Sequence, residues 1–420
     1  MEESGASSPS YFCKHLNKAA TIFDLAVIGA GPAGAAAAFH AAQAGLRVVL
    51  LDKSEFPRDK ICGDGLTARA VVELQVLGLE SEVQRRGARI SQFQMTAPLG
   101  RVVAQLKGAP GFPDYAYVLP RLQLDALLVE RAVAVGAELR TQQEVTHWDA
   151  DDNGITLQIK ARSGTQTLRA GLAILATGAH LALAQRMHLL ARKPEMMVAS
   201  RQYLEGLEQQ DTWHLHFGRS TLPGYGWIFP AGNGLANVGI GLEHRRRDHS
   251  LSDDLARYLS SKPAQIILKG AKAIAPPKNF PLRWDFLQSP LTAPRLLIAG
   301  EAAGLVNPLT GEGIDYALES GRVAATHAIR AIQSGTEDQA AYAAALHAEY
   351  DKLFLFSQRL RDWCRTPWGV STLALGAMAR PDLKMRLVGS LLGGHTAPSL
   401  PTAKRLFQVL LSAPKTPSTH

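Results

Sequence analysis

The chain has 420 residues, of which 46% are hydrophobic and 20% charged, which is an ordinary globular composition. This length predicts two domains, or one large domain with an inserted one, and leaves room to bury a large cofactor. The net charge is +8, but basic residues cluster only locally, as at positions 245–247, without interleaved aromatic residues. This pattern argues against nucleic-acid binding and suits an anionic membrane surface or a phosphorylated substrate better, a solvated basic surface being the simplest interpretation.

The three cysteines, Cys13, Cys62 and Cys364, lie far apart and form no CxxC pair. This spacing excludes a zinc site or iron–sulfur cluster built from four cysteines of the chain, and it fits a reducing compartment. Residues 1–21 have no apolar stretch, so we expect a flexible tail rather than a signal peptide. No apolar run approaches the ~20 residues of a membrane span. We expect a cytoplasmic protein, soluble or in peripheral contact with a membrane.

The elements that follow the tail form a β-α-β unit. Residues 23–29 (FDLAVIG) are typical of a buried parallel strand that ends in glycine. Residues 32–44 are rich in alanine and predict a helix, and residues 46–52 (LRVVLLD) predict a second strand.

Further along the chain the pattern changes several times. Residues 54–114 are rich in Gly, Pro and Arg and predict irregular excursions away from the sheet. Residues 180–290 carry alternating and aromatic segments, which indicate an inserted antiparallel sheet. The other predicted elements are helices at 123–135 and 313–332, buried strands at 172–178 and 296–300, and a helical pattern in the last 80 residues.

A glycine motif, Gly29-Ala30-Gly31-Pro32-Ala33-Gly34, follows the first strand and opens the first helix. In such a motif the first glycine permits the tight turn, the second lets a pyrophosphate approach the backbone, and the third allows close helix–strand packing. The motif alone is weak evidence, but Asp52 ends the next strand 18 residues after Gly34, where it can hold ribose hydroxyls. Together they favour dinucleotide binding over an ordinary strand–turn–helix.

A second glycine-rich segment follows a later strand, with GEAAGLVNP at 300–308 and TGEGI at 310–314. Small residues there let backbone amides face a ligand, and the next helix offers a second positive end. Two such turns about 270 residues apart suit one FAD between them. The alternative is a glycine-rich linker.

These motifs resemble the geranylgeranyl reductase family, within the aromatic-hydroxylase-type flavoproteins. The matching stretches lie between residues 24 and 321 and read DLAVIGAGPAGAAAA, FPRDKICGDGLTARA, PGYGWIFPAGNGLANVGIG and GEAAGLVNPLTGEGIDYALESG. We therefore expect an α/β fold, with a Rossmann-type FAD-binding domain, an inserted antiparallel β-sheet substrate domain and a helical C-terminal region. The expected boundaries are 22–58, 115–180 and 291–335 for the FAD-binding domain, 59–114 and 181–290 for the substrate domain, and 336–420 for the C-terminal region.

The resemblance also implies roles for individual residues around FAD. Gly29, Gly31 and Gly34 would bind the pyrophosphate, Asp52 would bind the adenosine ribose, and Arg121 would lie near the cofactor. The remaining implied FAD contacts are Pro32, Ala33, Lys53, Lys60, Cys62, Gly63, Val145, Thr177, Gly178, Gly300, Pro308 and Ile314.

Around the flavin, Glu301 stands where the family usually has the Asp that holds the ribityl chain. Gly311, Glu312 and Gly313 would place backbone amides at the pyrimidine edge, where the helix end stabilises the reduced flavin. Thr177 replaces an Asp that the wider family uses for FAD and pyridine nucleotide. The reductant is therefore open between NAD(P)H and a reduced electron-transfer protein.

Three residues are candidates for catalysis. Cys62 would tune or protect the flavin or donate a proton to substrate, unless it is an inert buried thiol. Tyr225 and Trp227 share a strand face and, with Phe229, would line the substrate cavity, the alternative being core packing. His214 and His216 share a face too, but no carboxylate stands beside them at ligand spacing, so we predict no metal site.

Three functions remain in competition. The leading one is hydride transfer from reduced FAD to a carbon–carbon double bond of an isoprenoid substrate, in an apolar tunnel. The second is a flavin monooxygenase or halogenase acting on an aromatic or polyketide-like product, for which only Lys53 and Lys60 offer a catalytic lysine. The third is a non-catalytic FAD-binding or electron-transfer protein. The substrate and the oligomeric state are left open.

Overall fold

The computed structural model describes residues 22–107, 110–243, 250–336 and 338–381, together with Lys384 and Gly389. The predicted tail with Cys13, the arginines at 245–247 and almost all of the chain beyond Pro381 lie outside the described residues.

The strands in chain order are β1 (Ile22–Ile28), β2 (Val48–Leu51), β3 (Gly65–Leu66), β4 (Ala88–Ile90), β5 (Gln92–Ala97), β6 (Gly100–Gln105), β7 (Ala116–Val118), β8 (Glu138–Arg140), β9 (Glu144–Asp151), β10 (Gly154–Ala161), β11 (Gly164–Leu175), β12 (Met196–Glu205), β13 (Thr212–His216), β14 (Gly224–Gly232), β15 (Leu235–Glu243), β16 (Lys272–Ala273), β17 (Lys278–Arg283), β18 (Thr292–Ala293) and β19 (Leu296–Ile298). The helices are α1 (Pro32–Gln43), α2 (Ala68–Val76), α3 (Glu80–Arg86), α4 (Arg121–Ala134), α5 (Ala182–Arg186), α6 (Leu251–Leu259), α7 (Lys262–Ile267), α8 (Ile314–Ser334), α9 (Gln339–Cys364) and α10 (Pro367–Ala379).

The first sheet has a parallel core in the order β19-β11-β1-β2-β8. Strands β2 and β19 and the last residues of β11 are apolar and buried because helices cover them. Helices α1 and α8 pack closely enough that a Cβ at Gly321 would lie 2.2 Å from the Ala33 carbonyl oxygen. Antiparallel β10 and β9 extend the sheet from β11. The carboxyl ends of β1, β11 and β19 therefore meet at one edge, where ligands of doubly wound sheets bind.

The second sheet has the order β16-β12-β15-β14-β13-β5-β6, with β17 also paired to β12. Its pairs are antiparallel except β13 with β5, which run parallel. An α/β fold with a Rossmann-type sheet and an inserted antiparallel sheet is thus confirmed. A third, small sheet has the order β3-β7-β4 and joins residues 65–66 and 88–90 to the segment before α4.

The prediction of irregular structure at 54–114 is wrong. The segment contains α2, α3 and strands β3 to β6. Helix α2 begins after Thr67, whose hydroxyl accepts a hydrogen bond from the Ala70 amide, and it packs against α8. Such short helices depend on tertiary packing, which the local sequence pattern does not reveal.

The C-terminal region is helical as far as the structure describes it. Helix α9 packs against α8, and α10 covers β5 and β6 at the end of the second sheet. Within the described ranges, no helix is long and apolar enough to cross a bilayer.

Candidate functional site

A cavity of about 520 Å³ begins at the carboxyl edge of the first sheet and extends along the second sheet. Nearly all the predicted site residues line it, from the glycine motif and Asp52 through Cys62 to the turn at 310–314. Of the predicted set, Gly34 and Gly300 are absent from the lining. Both lie behind it, where glycine allows close packing: a Cβ at Gly34 would lie 1.8 Å from the Gly29 oxygen, and one at Gly300 2.8 Å from the Ala33 Cβ.

The glycine motif has the shape of a pyrophosphate cradle. Gly29 has φ +102°, and a Cβ there would lie 2.4 Å from the Ala176 oxygen, so the turn requires glycine. Gly31 differs, because a Cβ there would find only the Arg58 guanidinium, at 3.7 Å. The backbone at Gly31 is therefore bare on its cavity side. It also directly precedes α1, which begins with Pro32 and no side-chain cap, as an anion-binding helix end requires.

Charged side chains surround this cradle. The Asp52 carboxylate accepts hydrogen bonds from the amides of Ala30 and Ser54, both at 2.8 Å, which ties the end of β2 to the glycine motif. Arg58 stands between the cradle and α4, with Nη1 2.9 Å from the buried carboxylate of Asp125. The sequence analysis missed both Arg58 and Asp125. For Asp125 a signal existed, because it lies four residues after Arg121 on a predicted helix.

Arg121 and Asp125 form a buried two-point ion pair, with N–O distances of 2.6 and 2.8 Å. Burial disfavours the charge of Arg121, but the Asp125 carboxylate outweighs it and raises the pKa of the guanidinium. Arg121 is therefore a permanent cation beside Cys62 in the cavity wall. A site with two arginines and bare backbone fits the pyrophosphate of FAD.

Glu301 occupies the position that the sequence analysis assigned to the ribityl chain. Its Oε2 lies 3.1 Å from Nζ of Lys60, and its Oε1 accepts a hydrogen bond of 3.1 Å from the Arg283 amide. The ion pair of Lys60 and Glu301 lies next to Gly178, where an added Cβ would be 3.3 Å from the Lys60 Nζ. The longer glutamate thus bridges the cavity loop at Lys60 to the end of β19. Its carboxylate oxygens retain lone pairs for a ligand hydroxyl.

The turn before α8 presents backbone to the cavity. Asn307 shapes it, because its Oδ1 accepts hydrogen bonds from the amides of Leu309 and Thr310 at 2.9 and 3.2 Å. Tyr225 donates its hydroxyl to the Thr310 carbonyl, so β14 is fastened to this turn. Helix α8 then begins without a side-chain cap. These features fit the expected cradle for the flavin pyrimidine edge.

Burial raises the pKa values of two acids in the cavity wall. Burial, reinforced by nearby Asp315, raises the pKa of Glu312 well above its usual value. Burial also raises the pKa of Cys62, against the opposing effect of Arg121. Cys62 is therefore a thiol and not a thiolate, which disfavours nucleophilic chemistry and leaves proton donation open.

An aromatic wall covers the cavity on the side of the second sheet. Tyr225, Trp227 and Phe229 follow one another with ring centroids 6.2 and 6.4 Å apart. Trp213 and Phe217 on and after β13 extend the wall, with centroids 5.1 Å from Phe229 and 5.7 Å from Tyr225. The sequence analysis missed these last two rings. The wall both lines the cavity and belongs to the hydrophobic core.

His214 and His216 lie on the other side of β13. His214 Nε2 is 2.7 Å from Gln210 Oε1, and His216 Nδ1 is 2.7 Å from the Tyr258 hydroxyl. Burial lowers the pKa of each to about 4, so both rings are neutral. Among the described residues, no group of three His, Cys, Asp or Glu side chains could hold a metal ion.

The family model "FAD binding domain" matches residues 23–340. The chain belongs to this family of flavoproteins. Menaquinone reductase of Mycolicibacterium smegmatis is 35% identical over 353 residues, which cover 80% of this chain and 83% of that protein. Digeranylgeranylglycerophospholipid reductase 1 of Methanothermobacter thermautotrophicus is 29% identical over 327 residues, 75% of this chain and 79% of that protein.

Among solved structures, a geranylgeranyl bacteriochlorophyll reductase-like protein of Thermoplasma acidophilum shares the fold, with a TM-score of 0.78 and 22% identity. That match covers 92% of this flavoprotein and 99% of the other chain. A flavin-dependent brominase has a TM-score of 0.74 and 18% identity over 90% of this chain and 97% of its own. The predicted resemblance to geranylgeranyl reductases is confirmed, and the flavoprotein is an FAD-dependent oxidoreductase.

Proposed function

We propose that this flavoprotein reduces carbon–carbon double bonds of an isoprenoid chain. The supporting observation is the cavity itself, in which an aromatic wall faces the turn before α8. Menaquinone and digeranylgeranylglycerophospholipid, the compounds in the names of its relatives, both carry isoprenoid chains. Bound FAD supplies the hydride. An apolar chain lying between the wall and that turn is held where the hydride arrives.

The chain's own residues complete the reaction. Tyr225 and Trp227 orient the substrate along the aromatic wall, whose rings keep water from that side of it. The second hydrogen arrives as a proton. Burial raises the pKa values of Cys62 and Glu312, which favours the protonated form of each and suits both groups to act as the general acid. Cys62, Tyr225 and Trp227 are the catalytic residues of this proposal.

The reductant in this proposal is NAD(P)H or a reduced electron-transfer protein. Thr177 lines the cavity without the carboxylate that the wider family has there, so the chain lacks one familiar contact for a pyridine nucleotide. The lysines and arginines around the cavity would attract either donor, since both are anionic.

We also propose peripheral contact with an anionic lipid surface through the outer face of α10. Trp368, Leu375 and Met378 are exposed by 63, 45 and 55%, and Leu99 beside them by 59%. The helix contains no acidic residue, and exposed Arg101 follows the turn that touches it. Because Cys364, just before α10, lines the cavity, a membrane there would lie close to the substrate path.

A monooxygenase or halogenase remains the alternative, favoured by the fold shared with the brominase. Lys60 is its best candidate for a catalytic lysine, but its Nζ is paired with Glu301. Lys53 is exposed.

Anaerobic reoxidation of the flavin tests the proposal. The purified protein is reduced with NADPH or dithionite and mixed with a geranylgeranyl compound or menaquinone. Reoxidation by the isoprenoid without oxygen, with a product two hydrogens heavier, is expected. Reoxidation only on admitting oxygen, with a hydroxylated or halogenated product, would replace this function by the alternative.

A further inference from the structure

A buried polar network lies behind the aromatic wall, at Asn237 on β15. Strand β15 pairs with β14 on one side and β12 on the other, so Asn237 stands opposite both Phe229 and Tyr203. Trp227 stands opposite Gly239, two residues further along β15. Asn237 is fully buried, yet it belongs to no part of the site described so far.

The Asn237 side chain uses both its donors and its acceptor. Its Oδ1 accepts the indole N–H of Trp227 at 2.9 Å. Its Nδ2 donates to the carbonyl oxygen of Cys62 at 2.8 Å and to the carboxylate of Asp64 at 2.7 Å. Because an indole can only donate, these three bonds also fix which way the amide points. One side chain thus joins the aromatic wall to the Cys62 loop.

Asp64 holds the other side of this junction. Its carboxylate accepts hydrogen bonds from the Arg121 amide at 3.2 Å and from the hydroxyl of Tyr203. Its backbone has φ +63°, a left-handed conformation that a residue other than glycine adopts only where its surroundings hold it. Both carboxylate oxygens of Asp64 therefore have hydrogen-bond partners, and these bonds hold the loop from Cys62 to Asp64 in place.

The Trp227 ring has little freedom apart from this hydrogen bond. A Cβ at Gly239 would lie 2.2 Å from the ring, and a Cβ at Gly63 would lie 3.7 Å from its Nε1. The ring thus packs against the bare backbone of Gly239, and the hydrogen bond that it donates to Asn237 holds the indole nitrogen in place.

We propose that Asn237, supported by Asp64, is the positioning residue that fixes the Trp227 ring and the Cys62 loop relative to each other. The proposal rests on the proposed function in one respect, namely that these two elements face the substrate. Asn237 lies outside the cavity lining, whereas Asp64 belongs to it at the loop that it holds. Their effect is transmitted through Trp227 and Cys62.

The test uses 5-fluorotryptophan in the full-length, FAD-loaded protein. The six tryptophans give six fluorine resonances, and Trp227→Phe identifies the one from Trp227. In Asn237→Ala we expect that resonance to shift or broaden while the other five stay in place. We expect bound FAD to be retained and kcat/KM for the isoprenoid to fall by about 10- to 100-fold, with KM raised. Asn279→Ala, on β17 of the same sheet, is the matched control and should change nothing.

A charge exchange keeps the proposal testable if the alanine variant does not fold. Asn237→Asp removes both donors and places a second carboxylate against Asp64. Adding Asp64→Asn restores an N–H donor between the two positions. The Trp227 resonance of the double variant should therefore lie closer to the wild-type resonance than that of Asn237→Asp alone. An unmoved Trp227 resonance in folded variants, a shift of all six resonances, or no restoration on exchange would overturn the proposal. A Trp227 shift in a protein that turns over no isoprenoid would instead refute the proposed function and leave the positioning role standing.

Discussion

Gly31→Ala should weaken FAD binding while leaving the fold intact. The methyl group meets a single neighbouring atom within 4 Å, the Arg58 Nη2 at 3.7 Å, so the protein without cofactor accommodates it. With cofactor, the methyl lies on the bare backbone where the pyrophosphate has to approach. Overpacking of this kind costs about 1–3 kcal/mol, which corresponds to a loss of about 5- to 150-fold in FAD affinity.

Two other glycine variants give this experiment its controls. Gly34→Ala forces a Cβ to 1.8 Å from the Gly29 oxygen, so it should lower the melting temperature of the cofactor-free protein, which Gly31→Ala should not. Gly218→Ala adds a methyl with no atom within 4 Å and should change neither property.

The assay is a titration of the cofactor-free protein with FAD, followed by flavin fluorescence, beside a thermal melt of each variant. FAD binding by Gly31→Ala as tight as in wild type would refute the assignment of this turn to the pyrophosphate. A lowered melting temperature for the cofactor-free Gly31→Ala protein would show that the added methyl group does not fit in the space beside Gly31.

Three further predictions concern other parts of the molecule. His214 and His216 have pKa values lowered to about 4 by burial, so below pH 6.5 only the unfolded chain takes up their protons, and stability is lost as the pH falls from 6.5 towards 4. Each ring contributes up to about 3 kcal/mol of that loss, and a variant with both changed to Gln should show a flatter denaturation profile over this range; an equally steep one contradicts the assignment. Trp368→Ser should weaken sedimentation with phosphatidylglycerol vesicles, whereas Ile266→Ser, equally exposed on α7, should not; equal loss in both would remove α10 as the contact. Tyr225→Phe removes one hydrogen bond to the turn before α8, worth about 1 kcal/mol, so FAD should bind about fivefold more weakly, and unchanged affinity would show that the tyrosine does not support that turn.

The elements that the sequence predicted well carry their signals locally. The strand, glycine motif and helix at 23–44 follow one another within one β-α-β unit, and each glycine has its own steric reason. The turn at 310–314 was recognisable for the same reason, because its glycines directly precede the predicted helix in the sequence. Glycine loops and buried strands at the edge of a parallel sheet therefore predict from sequence the residues that line this end of the cavity.

The parts that were missed depend on pairing between distant segments. Trp213 joins the aromatic wall because β13 pairs with β14, which brings its ring to 5.1 Å from that of Phe229, while β13 also pairs with β5, about 120 residues earlier in the chain. The shortest ion pair of Arg58, at 2.9 Å, is to Asp125 on α4, far along the chain. In the sequence Asn237 is a single polar residue within a strand. Its role becomes visible only when β12 and β14 pair with β15 on either side. No local period encodes such contacts.

The charge along the cavity explains why an apolar substrate suits its far half. Around the glycine motif, Arg58 and Arg121 both pair with Asp125, so two guanidinium groups share one carboxylate beside the bare backbone. Beyond the turn at 310–314, burial raises the pKa values of Glu312 and Cys62, and the rings of the aromatic wall line the cavity. An isoprenoid chain lying along the aromatic rings is favoured there, because a charged group packed against those rings would lose its hydration at a cost of several kcal/mol. Burial raises the pKa of Cys62, so its thiol holds the proton that the proposed reduction requires.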